Sequence, residues 1–262
     1  MDVLKVYSNG FNELVSVTPP DCTISSMSTI QDENRGKAPG IQKPDGTWTG
    51  YSWQTHNPST SEIKQWLSFN ANIGLRSGRF PGIDIDVLDE SLAKEIEDIA
   101  LLILGPAPRR VGLPPKRLLI YHCNTTFPKM SIRFETDSNQ KFLVEVLAEG
   151  QQYVIHGIHP SSKKPYTCEP SLDQLHLDKL SVIDEKKINQ FFCELRTILT
   201  KKGFRLINCH APKEKHLLID QKSLKGDPEM VSAALEVIPN DTSYDEWIRI
   251  GHVIKAALSE NE

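Results

Sequence analysis

Hydrophobic positions recur with two periods along this chain, and each change of period marks an element. In GIDIDV, residues 82 to 87, Ile83, Ile85 and Val87 alternate with Asp84 and Asp86, which predicts a strand with one wet face. In SLAKEIEDIALLIL, residues 91 to 104, Leu92, Ile96, Ile99 and Ile103 form a helical stripe that Gly105-Pro106 stops. An earlier helix starts at Ser59, where Ser59 and Glu62 form a capping box ahead of Ile63, Trp66 and Leu67, and ends near Asn70. A short apolar stretch around Ile73 and Leu75 then passes through the turn-like RSGRFPG into the alternating strand. RLLIYHC (117 to 123) and KFLVEV (141 to 146) read as further strands, the second turning through Ala148-Glu149-Gly150 into QQYVIHG as a hairpin. Asp184 caps a long helix to Lys202, with Ile188, Phe191, Leu195 and Ile198 on one face and Gly203 beyond its end.

The first fifty residues are rich in Ser, Thr, Pro, Gly and Asn without sustained periodicity, so loops with short strands are expected there. Strands and helices are intermixed, which makes the fold α/β in composition, of the α+β type. After Lys222 the character changes. Asp227-Pro228-Glu229 starts a short helix that Pro239 stops, and Ser243 with Glu246 caps another carrying Trp247, Ile250, Ile254 and Leu258. So small a helix pair does not bury its own stripe. We therefore expect a main domain over 1–222 and, over 223–262, the start of a helical domain that continues in a longer protein.

Composition narrows the class. The chain has 262 residues, 39% apolar and 24% charged, which is a globular profile. No apolar run approaches the ~20 residues that span a bilayer, and MDVLKVYSNGF has no basic-then-apolar leader pattern, so a cytoplasmic protein without membrane partners is expected. The 5 cysteines contain no CxxC pair, which argues against a disulfide framework or a structural zinc. The net charge of -4 conceals a local bias. From Ile99 to Phe134 there is no acid, while Arg109, Arg110, Lys116, Arg117, Lys129 and Arg133 are all basic. Such a stretch is either a solvated basic loop or an anion-binding surface.

The candidate chemistry begins with Asp84 and Asp86, which point to one face of their strand. Adjacent carboxylates repel unless a cation sits between them, so the pair is either a seat for Mg²⁺ or Mn²⁺ or simply the wet face of a strand. Glu145 shares its strand face with Leu143 and Leu147, and a carboxylate half-buried in this way needs a metal, a partner charge or a raised pKa. Were its strand to lie beside that of Asp84, three acids would converge, and the basic stretch would supply cations for a triphosphate. Lys116 and Arg117 immediately precede a strand. His156 and His159 lie three apart on an extended segment and so on opposite faces; His159, ahead of Pro160-Ser161-Ser162, is the better candidate for a phosphate or sugar contact.

GKAP (36 to 39), IGLRSGRFPGIDIDV (73 to 87), RVGLPPKRLLIY (110 to 121) and VEVLAEGQQYVIHGIHPSSKKPY (144 to 166) resemble the bifunctional primase/polymerase domains of the archaeo-eukaryotic primase superfamily, nearest to forms carried by phages and mobile elements. The similarity covers most of residues 30 to 185. It implies a two-lobed core related to the RNA-recognition fold that extends a template-directed strand from dNTPs or NTPs, with single-stranded DNA template and primer as partners. Asp84 and Asp86 match the family's first metal motif and Glu145 its third, where Asp is more usual. His159 with Tyr166 matches the segment near the incoming nucleotide, and Arg76 and Ser77 fall in the loop before the first motif. The family's second-motif histidine is absent; Lys116 or Arg117 stands in its place, and a cation holds phosphate as well. ALEVIPNDTSYDEWIRIGHVIKAAL (234 to 258) resembles the helical domain that precedes a covalently linked helicase.

The expectation is thus a nucleotidyltransferase in which Asp84, Asp86 and Glu145 hold metal, Arg76, Ser77, Lys116, Arg117, His159 and Tyr166 bind nucleotide, and Arg109 and Arg110 line a basic template groove. A metal-dependent nuclease and a catalytically silent single-stranded-DNA-binding module of a replicative helicase are the alternatives.

Overall fold

The structure, a computed structural model, describes residues 1–136, 139–209 and 226–237, with the isolated positions Trp247, Ile250, Gly251, Ile254, Ala257 and Leu258. The chain divides into two compact units, Met1–Ala211 and Pro212–Glu262. The boundary expected after Lys222 lies outside the described residues, as does the start of the helix expected at Ser243.

The first unit is α+β, and its main layer is an antiparallel sheet of seven strands. Their order is β11 (Thr167–Glu169), β6 (Arg109–Val111), β7 (Arg117–Ile120), β5 (Gly82–Asp86), β9 (Lys141–Leu147), β8 (Met130–Glu135) and β12 (Arg205–Cys209). A second sheet joins β1 (Leu14–Val17), β4 (Asn72–Arg76) and β10 (Gln152–His156), and β2 (Ile41–Gln42) pairs with β3 (Trp48–Thr49).

Period-two alternation decides which layer each face of the large sheet meets. Ile83, Ile85, Leu119, Ile132, Phe134, Val144 and Val146 point to one side and pack on two helices, α3 (Glu90–Leu104) and α4 (Glu185–Lys201). Leu118, Ile120 and Leu147 point to the other side, where α1 (Val3–Ser8), α2 (Thr60–Ser68) and the three-stranded sheet bring Val6, Ile63, Trp66, Ile73 and Leu75. Each large aliphatic side chain enclosed in this way contributes about 1.5–3 kcal/mol.

The expected caps are present. Ser59 accepts from the Glu62 N–H while the Glu62 carboxylate accepts from the Ser59 N–H; Asp184 accepts from the Lys187 N–H; Gly203 follows α4 with φ +84°. The buried stripe of α3 differs from expectation. Ala93, Glu97, Ala100 and Leu104 join Leu92 and Ile96 in full burial, and Ile99 and Ile103 only flank the core. Glu97 on this stripe is bound by Arg117 and Arg109 of the sheet.

The hairpin expected between residues 141 and 156 is absent. β9 pairs with β5 and β8, whereas β10 crosses to the other sheet and pairs with β4. The turn between them changes layers, and the Ser77 hydroxyl holds it by donating to Ala148 O at 2.5 Å. Helix α1, capped by Asp2, and strand β8 were not anticipated, the first being too short to show a period.

Candidate active site

Register builds the site. Asp84 on β5 lies directly opposite Glu145 on β9, with Leu118 of β7 on its other side. Opposed residues of an antiparallel pair share a face. Asp84, Asp86 and Glu145 therefore stand together on the face away from α3 and α4. Ser131 of β8 lies opposite Glu145, and Arg110 of β6 opposite Leu118, which extends the row to both sides.

A cavity of about 270 Å³ opens over this row. Its walls include Asp84, Asp86, Arg110, Lys116, His159, Tyr166 and Lys37. Lys116 Nζ lies 2.5 Å from Asp86 Oδ1. Glu145 is turned aside: it does not line the cavity, and its Oε2 lies 2.5 Å from Lys129 Nζ at the foot of β8. Burial pushes the Asp84 carboxyl up to about 6; the neighbouring Glu145 and Asp86 carboxylates add to that rise, and Arg110 and Lys116 oppose it. A carboxylate held so far from its ordinary range is one that a further cation would stabilise.

His159 is 93% enclosed, at 7% exposure, and its Nδ1 accepts from the Ser161 and Ser162 N–H groups at 3.2 and 3.1 Å. With Nδ1 accepting twice, the ring proton sits on Nε2, a donor suited to a phosphate oxygen. Burial, then Lys37, Arg110 and Lys116, lower its pKa, so the ring is neutral at pH 7. Tyr166 packs edge-on against it with centroids 5.4 Å apart, and the Arg110 guanidinium lies 5.3 Å over the Tyr166 ring. Gly112 makes this approach possible, since a Cβ there would lie 2.4 Å from Tyr166 Cε1.

Several expected site residues turn their polar groups elsewhere. Successive residues of β6 face opposite ways, which separates Arg109 from Arg110. Arg117 forms part of the cavity wall, but its guanidinium turns to the helices, where it is bound to Glu97 at 2.6 Å and Glu90 at 2.7 Å; Lys116 brings its charge to the carboxylates. Arg109 likewise meets Glu97 at 3.5 Å and Glu169 at 4.0 Å, so it forms no groove with Arg110. Arg76 donates to Gln54 O and Asn57 Oδ1 and lines a different cavity. Ser77 is fully buried beneath the β9–β10 turn.

Two residues of the site were not singled out in the sequence. Lys37 lies in GKAP and reaches the cavity because Gln152 Nε2 donates to its carbonyl at 2.8 Å. Asn72, 1% exposed, donates to Gly36 O (3.0 Å) and Ile158 O (2.9 Å) and accepts from Ile158 N (2.8 Å). It thereby ties the loop of Lys37 to the loop of His159. A lone Asn at a strand start carries no periodic signal; the lysine set between Gly36 and Pro39 in GKAP was the available hint.

The donor set fits a hard cation in part. Asp84 and Asp86 offer oxygen ligands at the cavity, the kind Mg²⁺ and Mn²⁺ take, with positions left for phosphate oxygens. Glu145, paired with Lys129, offers no oxygen to the cavity in this arrangement. Among the described residues no group of three His, Cys, Asp or Glu side chains is already gathered for a metal.

Fold and site together define an α+β protein whose cavity sets two carboxylates against a row of cations and a neutral histidine. No protein-family model matches the chain, and no characterised protein matches its sequence significantly. Among the described residues no helix is long and apolar enough to cross a membrane.

Proposed function

We propose that this chain is a metal-dependent nucleotidyltransferase of the primase-polymerase kind, extending a template-directed strand from dNTPs or NTPs. One observation carries the reading: Asp84 and Asp86 share a 270 Å³ cavity with Lys37, Arg110, Lys116 and His159, so groups for hard cations and groups for a polyphosphate face one space. Lys37, Lys116 and the His159 Nε2–H bind the phosphates, Arg110 neutralises charge beside Asp84, and Tyr166 supports the Arg110 guanidinium. Asp84 and Asp86, joined by Glu145, hold Mg²⁺ or Mn²⁺, which when bound neutralises phosphate charge and makes a hydroxyl a better nucleophile. A 3′-hydroxyl oxygen bonds to the α-phosphorus, the bond to the β-phosphate oxygen breaks, pyrophosphate leaves and the hydroxyl proton passes to solvent. The second unit leads, on this reading, into a helicase region of a longer protein.

A second reading has its own support. Lys116 and Lys129 already neutralise Asp86 and Glu145, as a binding module without catalysis would require. The two separate in a synthesis assay with labelled dNTPs or NTPs, Mg²⁺ or Mn²⁺, and a template with and without primer. Products from wild type that disappear in Asp84→Ala/Asp86→Ala, on the order of a hundred- to a thousand-fold, support the enzyme. Synthesis that persists in the double variant sinks it, and metal-independent binding of single strands without any product establishes the module.

A further inference from the structure

A strand that brings bases to the Asp84 cavity needs a track, and the pair Arg109–Arg110 does not form one, because Arg109 faces the helices. A second cavity of about 240 Å³ lies on the same sheet face as the first: Arg76, which lines it, stands opposite Gln152, which lines the first. The second holds Trp53, Arg76, Arg79, Glu13, Glu149 and Gln151. We infer that this second cavity docks single-stranded nucleic acid, a base lying against Trp53 and its phosphate meeting Arg79, so that the template enters the first cavity past Gln151 and Gln152. The inference deepens the polymerase reading and rests on it.

Trp53 is built as a platform. It is half-buried on the cluster of Val15, Val17 and Val154, which also supports Tyr166 of the first cavity, so the two sites share one rigid base. Arg76 fixes the segment that carries it, donating to Gln54 O at 2.6 Å and Asn57 Oδ1 at 2.8 Å. Arg79 is different. Its side chain is 49% exposed and its one ion-pair contact among the described residues, to Glu13, is 3.9 Å long. It is therefore the charge available to a phosphate.

Two glutamates balance the two arginines, so this cavity does not suit a free polyphosphate. A ligand with one charge per large apolar ring fits it better, which is the pattern of a single strand on an aromatic shelf. Gln151 Oε1 accepts from the Ala148 N–H at 3.4 Å, which leaves its NH2 to donate to an acceptor on any base edge and predicts little sequence preference. Gly150 leaves its side of the cavity open, since a Cβ there would meet nothing within 4 Å.

The test is fluorescence anisotropy with a fluorescein-labelled oligothymidylate, without metal or nucleotide. Trp53→Ala should weaken binding about ten-fold, and Trp53→Phe, which keeps a ring, should restore most of it. Arg79→Ala should lower the slope of log affinity against log salt by about 0.7, the share of one phosphate contact on a single strand. Arg79 is a surface side chain, so its variant reports even if Trp53→Ala fails to fold. Unchanged affinity and slope in Arg79→Ala, or a wild type that does not bind the oligonucleotide, overturns the inference. Synthesis assays on the same proteins separate it from the parent reading: binding lost in the variants with an inactive wild type leaves the docking site standing and removes the polymerase, whereas an active wild type with unchanged variants does the reverse.

Discussion

Asp84 and Glu145 stand directly opposite each other on β5 and β9, yet only Asp84 lines the cavity, because Glu145 is drawn aside to Lys129. Lys129 thus supplies the positive charge beside Glu145, and on the metal-dependent reading it competes with the ion for that carboxylate. We expect Lys129→Met to tighten Mn²⁺ binding about five-fold, the worth of one partly exposed ion pair. Electron paramagnetic resonance of free Mn²⁺ during titration reads this directly, and a weakened affinity would show that Lys129 positions Glu145 instead.

The raised pKa of Asp84 has a stability consequence whose sign is fixed. Folding favours its protonated form, so the stability present below the ordinary value near 3.8 is lost as pH rises through about 6. Asp84→Asn carries no charge and escapes that loss. We expect it to be more stable than wild type by about 1–2 kcal/mol at pH 8, with solvent reaching the half-buried carboxylate limiting the gain, and the difference to vanish near pH 4. Urea denaturation at the two pH values measures it.

Arg117 is a structural residue by this geometry. Replacing it with Met leaves Glu97, 5% exposed, without its closest cation. A loss of about 3–5 kcal/mol is expected, and Arg117→Met/Glu97→Leu should recover most of it. Arg117→Met that unfolds at the wild-type denaturant midpoint would contradict the assignment.

Asn72 holds the Lys37 and His159 loops with three hydrogen bonds. Asn72→Ala leaves buried backbone groups unpaired, at a cost of about 1–3 kcal/mol. Because both loops serve the same cavity, triphosphate affinity should fall about ten-fold while oligonucleotide binding at Trp53 stays as in wild type. Isothermal titration with a nucleoside triphosphate checks the first, anisotropy the second.

Much of the site could be read in the chain. The alternation around Asp84 and the mixed surroundings of Glu145 placed both acids on strand faces, and the lack of acids between Ile99 and Phe134 pointed to Lys116 and Arg110. The same period of two separates Arg109 from Arg110 on β6, so that division was legible too. The hairpin over 141 to 156 was not, because Ala148-Glu149-Gly150 suits a tight turn between paired strands as well as a crossing between sheets; burial of Ser77 and pairing with β4 made the choice.

Local signals in the chain settle where α2 and α4 begin and end, and that Asp84 and Asp86 share the polar face of their strand. These depend on backbone geometry over a few residues. Tertiary structure alone decided that β5 and β9 are neighbours, that Lys129 claims Glu145, that Glu97 gathers Arg109 and Arg117, and that Asn72 brings GKAP to His159. Such contacts join segments far apart in the chain, and they are selected by the simultaneous burial of two sheets and four helices rather than by any pattern within one segment.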